Sequence, residues 1–338
     1  MLGGLFAVLA AATLAFNNVC VRRGVLTGSV AQAIAITVPI GVPLFFAMAL
    51  AFGVLHVVAA FTAEALALLA LAGILQFVWG RYFNYKSTEM LGANLAGPVG
   101  EMGLVVSLVL AVGFLDESMT PLRLLGIFLV FLGPVIIVRT RRSRSGARSV
   151  GAAAAGPAAG AVARPVFRPR FVKGYTFAVL CALGFGVTPV LLRAALDGVG
   201  PSGSVAGGLV SYTAAAAVVA LIMLWPGRLA HALSIDRTSA RWFTISGCFV
   251  CVSQMFRYMA LSIAPVSVVA PLGQTAVAFR VVFSWMLNRD HEAFDLWALF
   301  GIFTSLLGGL ALTLSVELVL SIVTLPGPIV EFIRWRWP

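Results

Sequence analysis

The chain has 338 residues, 61% of them hydrophobic and only 10% charged, with a mean hydropathy of +1.03. Soluble domains carry about 25% charged residues, so a water-soluble fold is excluded, and with it a separate soluble catalytic domain. The net charge of +11 does not mark a nucleic-acid partner. Nine basic residues lie between Arg139 and Lys173 with no acid among them, and beside a membrane such a cluster is a topology signal.

A membrane span needs about 20 apolar residues. The first run, 4–21, passes through Asn17-Asn18 to Arg22-Arg23 and lacks the basic start of a signal peptide, so it reads as a retained helix. Further spans are predicted at 30–52, 64–83, 91–114 and 121–138. Residues 139–172 form a basic Gly/Ala-rich linker with little to bury. Beyond it, spans are predicted at 174–193, 203–224, 242–262, 266–287 and 295–314. Residues 315–338 are apolar but broken by Pro326-Gly327-Pro328, and they end in Arg334-Trp335-Arg336-Trp337. Trp beside Arg favours the headgroup region, so this segment reads as interfacial, with an additional span as the alternative. Cys20, Cys181, Cys248 and Cys251 all fall within apolar runs and read as packing residues rather than metal or redox ligands.

The two halves repeat one another. Glu117 aligns with Glu292, Gly126 with Gly301, and Leu132-Gly133 with Leu307-Gly308. With one further residue of spacing, Arg81-Tyr82 aligns with Arg257-Tyr258 and Gly97 with Gly273. Five spans per repeat is an odd number, so the second repeat enters the membrane from the opposite side. The expected fold is therefore an all-α integral membrane protein of about ten transmembrane helices, arranged as two inverted five-helix repeats over 1–138 and 173–314. Gly92, Gly97, Gly100 and Gly103, with Gly301, Gly308 and Gly309, are expected to allow close helix approach. If the linker faces the cytoplasm, Arg22-Arg23, Lys86, Arg228, Arg237, Arg241 and Arg289 share that side, which places both ends of the ten-span core outside.

Each half resembles an EamA-type repeat of the drug/metabolite transporter superfamily. The resemblance rests on first-span breaks at Ala15-Phe16-Asn17-Asn18 and Gly184-Phe185-Gly186, and on third-span ends at Tyr82-Phe83-Asn84-Tyr85 and Tyr258-Met259-Ala260-Leu261. It also rests on the acidic turns at Asp116-Glu117 and Glu292, and on closing helices with Gly and Leu-Gly six residues apart. The resemblance implies a ten-helix carrier with a central cavity, exporting small metabolites. It also implies cytoplasmic termini, the opposite of what the charge count expects.

Ionisable groups inside a bilayer cost about 2.5–3.5 kcal/mol each on insertion scales and are functional candidates by default. Glu101 falls near the middle of the fourth span and Arg280 about two-thirds along the ninth. Both are expected near the pseudo-two-fold axis, either as a structural ion pair or lining a cavity. In the cavity reading Arg280 holds a substrate carboxylate or phosphate, and Glu101 an amine or a coupling proton. Arg81 with Tyr82 and Arg257 with Tyr258 sit near span ends, as snorkelling side chains or as entry gates, one per face. Gln254, Gln274, Asn84 and Asn94 are candidate cavity-lining groups, as is Gln76. Asn17-Asn18 and Thr188-Pro189 are expected to break their helices and offer backbone carbonyls to a ligand. Asp116-Glu117 and Glu292 read as solvated turn residues.

There is no Gly-rich phosphate loop ending in Lys-Ser/Thr, no His-Glu-x-x-His and no Gly-x-Ser-x-Gly, so neither ATP-driven transport nor an enzyme is expected, and no cofactor. The expected function is a secondary transporter in a cell membrane, such as a bacterial inner membrane. It would export a small anionic or zwitterionic metabolite, such as an amino acid, by alternating access, with proton coupling through Glu101. The alternatives are a flippase for a polyprenyl- or acyl-phosphate lipid, or a non-transporting membrane scaffold subunit. Membrane lipids are the other expected partners.

Overall fold

A computed structural model of the protein describes residues 2–24, 28–91, 102–129, 131–132, 135–136, 171–276, 278–279, 282–283, 300–301, 303–304, 307–308, 311 and 335. It is all-helical. The helices are α1 (Leu2–Gly24), α2 (Val30–Ala51), α3 (Leu55–Ala60), α4 (Ala63–Ile74), α5 (Gly80–Leu91) and α6 (Met102–Leu115) in the first half. In the second half they are α7 (Phe171–Ala195), α8 (Gly200–Met223), α9 (Arg228–Leu233), α10 (Arg237–Ile263) and α11 (Val266–Gly273). Residues 121–129 are also helical. Five stretches are long and apolar enough to cross a membrane: Leu2–Val21, Val30–Ala51, Ala63–Ser87, Phe171–Ala195 and Gly200–Met223.

Helix starts follow local chemistry. Ser29 and Gln32 form a capping box: Gln32 N–H donates to Ser29 Oγ at 3.3 Å and Ser29 N–H to Gln32 Oε1 at 2.8 Å. Thr62 accepts from Ala65 N–H at 3.1 Å at the head of α4. Asp236 accepts from Thr238 and Ser239 N–H, both at 3.0 Å, which lets α10 begin five residues before the apolar run predicted from 242.

Two expectations about breaks are corrected. α1 runs unbroken through Asn17-Asn18, and α7 runs unbroken through Thr188-Pro189. Neither site offers unwound backbone: Asn17 Oδ1 instead accepts from Ser246 Oγ on α10, and Thr188 Oγ1 donates back to Gly184 O at 2.8 Å. The break falls elsewhere. Between α4 and α5, Leu75–Trp79 is a π-helical turn in which Gly80 N–H reaches back five residues to Leu75 O.

The main seams cross between the two halves. α1 packs along α10, and α5 and α4 pack against α7. α2 packs on α8, and α6 lies on α7. The α1–α10 seam is antiparallel: Asn17 meets Ser246, Ser253 Oγ donates to Ala10 O at 2.7 Å, and Gly3 lies against Ala260 and Ala264. Two crossings need glycine on a face. A Cβ on Gly73 would fall on the Ser211 carbonyl of α8, and one on Gly103 would come within 2.9 Å of Ala182 O on α7. The second bears out the small-residue reading for Gly103. Gly92, Gly97, Gly100 and Gly309 lie outside the described residues.

Candidate functional site

The polar interior is organised around α2, the π-turn, α8 and α10. Three aromatic rings stack at its centre: Tyr212 lies 4.1 Å from Phe77 and 4.9 Å from Phe45, centroid to centroid. Gly41 on α2 makes room for the Tyr212 ring, and Gly208 on α8 for that of Phe45. Tyr258 from α10 adds a fourth ring, 6.3 Å from Phe45.

Arg81 reaches into this group. It does not snorkel outward: Nη1 donates to Oγ1 of Thr37, a buried residue on α2, at 3.1 Å, and the guanidinium carbon lies 5.4 Å from the Phe77 ring centre. The π-turn, which absorbs one extra residue within the continuous α4–α5 helix, lies just before Arg81. No carboxylate pairs with Arg81 among the described residues. The cation therefore has one neutral hydrogen-bond partner and one aromatic face, a thin compensation for a guanidinium in a span.

Four buried oxygens share this interior without a hydrogen-bond partner among the described residues: Gln76 Oε1, Tyr212 OH, Gln254 Oε1 and Tyr258 OH. Gln76 lies in the π-turn beside Phe77, and Cys251, Gln254 and Tyr258 follow one another along one face of α10. The nearest polar neighbours of the two hydroxyls are the Cys251 thiol for Tyr212 and Ser211 for Tyr258. Ser211 Oγ donates to Leu69 O at 2.6 Å and keeps lone pairs that can accept from Tyr258. Buried polar atoms are almost always paired, so the unpaired Gln76 and Gln254 oxygens are candidates to receive donors.

The sequence candidates divide as follows. Arg81 meets Thr37 and Phe77, Tyr258 meets Phe45, and Gln254 is buried on the α10 face that carries Tyr258. Arg257, next to Tyr258, is half-buried, with no hydrogen bond or ion pair among the described residues. Tyr82 is 50% exposed and packs edge-on to Phe83, turned away from its neighbour Arg81. Asn84 is exposed, and its carbonyl accepts from Ser87 Oγ at 2.8 Å. Gln274 is half-buried at the C-terminal end of α11. Asn17 is buried but committed to Ser246. Glu101, Arg280 and Asn94, together with Glu292, Arg289, the linker and nearly all of the 315–338 tail, lie outside the described residues.

One expectation is overturned. Glu117 is not a solvated turn residue. Its Oε1 accepts from Val266 N–H at 2.6 Å and its Oε2 from Ser267 N–H at 2.9 Å, at the start of α11. Arg123 donates to Ser118 O at 2.8 Å and lies 3.5 Å from Ser267 Oγ. Sequence reasoning also passed over Thr37, Phe45, Phe77 and Tyr212. The Gly41 and Gly208 positions facing two of these rings were the available signal.

Residues 1–139 match the model of the EamA-like transporter family, so the resemblance read from the sequence holds for the first half of the chain. Together with the membrane-length apolar helices, the match supports a multi-pass membrane protein. No curated protein matches the chain in sequence. Among solved structures, one titled only as the crystal structure of a protein is similar in fold, with a TM-score of 0.59 and 18% identity, over 92% of this chain and 95% of its own.

Proposed function

We propose that the chain is a secondary carrier that moves a small anionic or zwitterionic metabolite by alternating access. In this reading Arg81 holds the carboxylate or phosphate of the cargo. The observation that carries it is the Arg81 guanidinium, inside a span and bonded among the described residues to Thr37 Oγ1 alone, together with the Gln76 and Gln254 oxygens, buried without a partner among those residues. An ion that gave only packing would be expected to have a counter-charge. A cargo anion supplies that charge, and a cargo ammonium supplies donors to the Gln76 and Gln254 carbonyl oxygens. The stacked rings of Phe45, Tyr212 and Phe77 give apolar surface beside them.

The crossed seams support the inverted-repeat reading. The first span of each half packs on the third span of the other, α1 on α10 and α7 on α4 and α5, which is the exchange expected of two-fold-related repeats. Basic residues gather at one end: Arg23 lies over Trp242 at 4.8 Å, and α9, which carries Arg228, is tied to α2 by Gln32 Nε2 donating to His231 O at 2.9 Å. That gathering supports a cytoplasmic position for this end.

Purified protein in liposomes tests the reading by counterflow of a pool of small carboxylates, phosphates and amino acids. Wild type is expected to exchange at least one. Arg81→Lys, which keeps the charge but loses the planar fork, is expected to raise the half-saturating concentration at least tenfold. Arg81→Ala is expected to abolish exchange in a folded protein. Unchanged exchange in Arg81→Ala would remove the anion role, and movement of a labelled phospholipid without any solute exchange would favour a flippase instead.

A further inference from the structure

The N-terminus of α11 has no cap of its own. Its N-cap position is Pro265, which has no side-chain oxygen to offer to the first free N–H groups of the helix. The missing cap comes from the other half of the chain, because the Glu117 carboxylate takes both Val266 and Ser267 N–H groups. Backbone geometry aims it there. Asp116 adopts a left-handed φ of 50°, uncommon for a residue with a side chain, and Glu117 N–H turns back to Ala111 O at 3.3 Å. Arg123, on the helix over 121–129, reaches Ser267 from the same side.

We propose that Glu117 is a gate latch. Its carboxylate, with Arg123 beside it, holds the first half to α11 at the end of the molecule opposite the basic loops, and this end opens when the carboxylate lets go. The proposal rests on the carrier reading, since only a protein that alternates needs an end that opens. A negative charge on a helix N-terminus is well suited to the task. It is strong when seated, and both partners can be satisfied by water once they separate. Parting the long α1–α10 seam would expose more apolar surface than parting this contact, where one carboxylate and two amides lie beside a smaller patch around Ala111 and Val266.

The test measures distance across the latch rather than transport. Spin labels are placed at Leu124→Cys and Ile263→Cys, both exposed, in a background with the four native cysteines replaced by alanine, and distances are read by pulsed electron spin resonance in liposomes. Wild type is expected to give mainly the short, latched distance. Glu117→Ala is expected to raise the longer-distance population about fivefold or more, and Glu117→Gln, which keeps one acceptor oxygen, by less. Glu117→Gln carries the test if the alanine variant fails to fold. The same short distance in wild type and variants, even with a lower melting temperature, would show a plain helix cap and overturn the latch. A population shift in protein that exchanges no solute would leave the latch standing and count against the carrier reading instead.

Discussion

Gly73→Ala is the sharpest test of how the interior is held. Gly73 lies on α4 two residues before the π-turn that carries Gln76, and it faces Ser211 on α8. The new Cβ would land on the Ser211 carbonyl oxygen and within 2.7 Å of its carbon. Both atoms are backbone, so no side chain can rotate away and the two helices must separate. Overpacking of this kind costs about 1–3 kcal/mol. The same separation pulls Ser211 Oγ from Leu69 O, now at 2.6 Å, a loss of about 1 kcal/mol. Together these give about 2–4 kcal/mol, or on the order of 4–10 °C in Tm, read by thermal unfolding of the purified protein in one detergent. Gly273→Ala is the control: nothing lies within 4 Å of its would-be Cβ, and alanine is the better helix former, so its Tm should hold or rise slightly. A Gly73→Ala protein melting within a degree of wild type would refute the close α4–α8 approach and the placement of the π-turn that depends on it.

Thr37→Val keeps the shape of the residue but removes the one hydrogen-bond partner of Arg81 among the described residues, so a loss of about 1–3 kcal/mol in stability is expected; Thr37→Ser should melt like wild type, and equal melting of all three would show that the bond contributes nothing. Deleting Val78 takes one residue out of the π-turn and restores α-helical spacing, with the flanking helices left in register. The deleted protein should express and span the membrane, yet lose counterflow as Gln76 is redirected; retained counterflow would show that the turn has no part in binding.

Composition and periodicity made α1, α2, α7 and α8 legible, because each is a long apolar run, and α2 also starts at the Ser29 capping box. α10 was predicted to begin at the first apolar residue, yet Asp236 supports a polar first turn from Arg237. The π-turn was invisible because one extra residue inside an apolar run changes neither composition nor hydropathy. Asn17-Asn18 suggested a helix break because polar residues in a span are costly. Ser246 offsets that cost from 229 residues away, and no local pattern announces such a partner. Glu117 was misread for the same reason: it satisfies backbone amides 149 and 150 residues distant. Arg81 was legible as a cation in a span, whereas the rings around it read as ordinary core.

The crossed seams also limit how the molecule can move. If the two halves rocked as separate bodies, α1 would have to part from α10 and α5 from α7, which would break apolar seams and the Asn17–Ser246 and Trp79–Leu180 hydrogen bonds. Cheaper motion keeps those seams and divides the molecule between them. One body then holds α1, α10 and α11, the other α4 to α7, each with helices from both halves. The boundary between these bodies carries buried apolar side chains, with Leu69, Ala72 and Ala111 on one side and Leu261, Val266 and Val269 on the other, and two polar contacts. One is the Glu117 carboxylate on the start of α11, where α6 meets α11. Arg81, carried by α5, reaches out of its body to Thr37 on α2, which packs on α10. Opening there parts apolar side chains as well as the carboxylate and the guanidinium, yet it spares the longer α1–α10 and α5–α7 seams. The candidate binding cation and the candidate latch therefore lie on one boundary, and cargo bound at the first can bias the second through rigid helices alone.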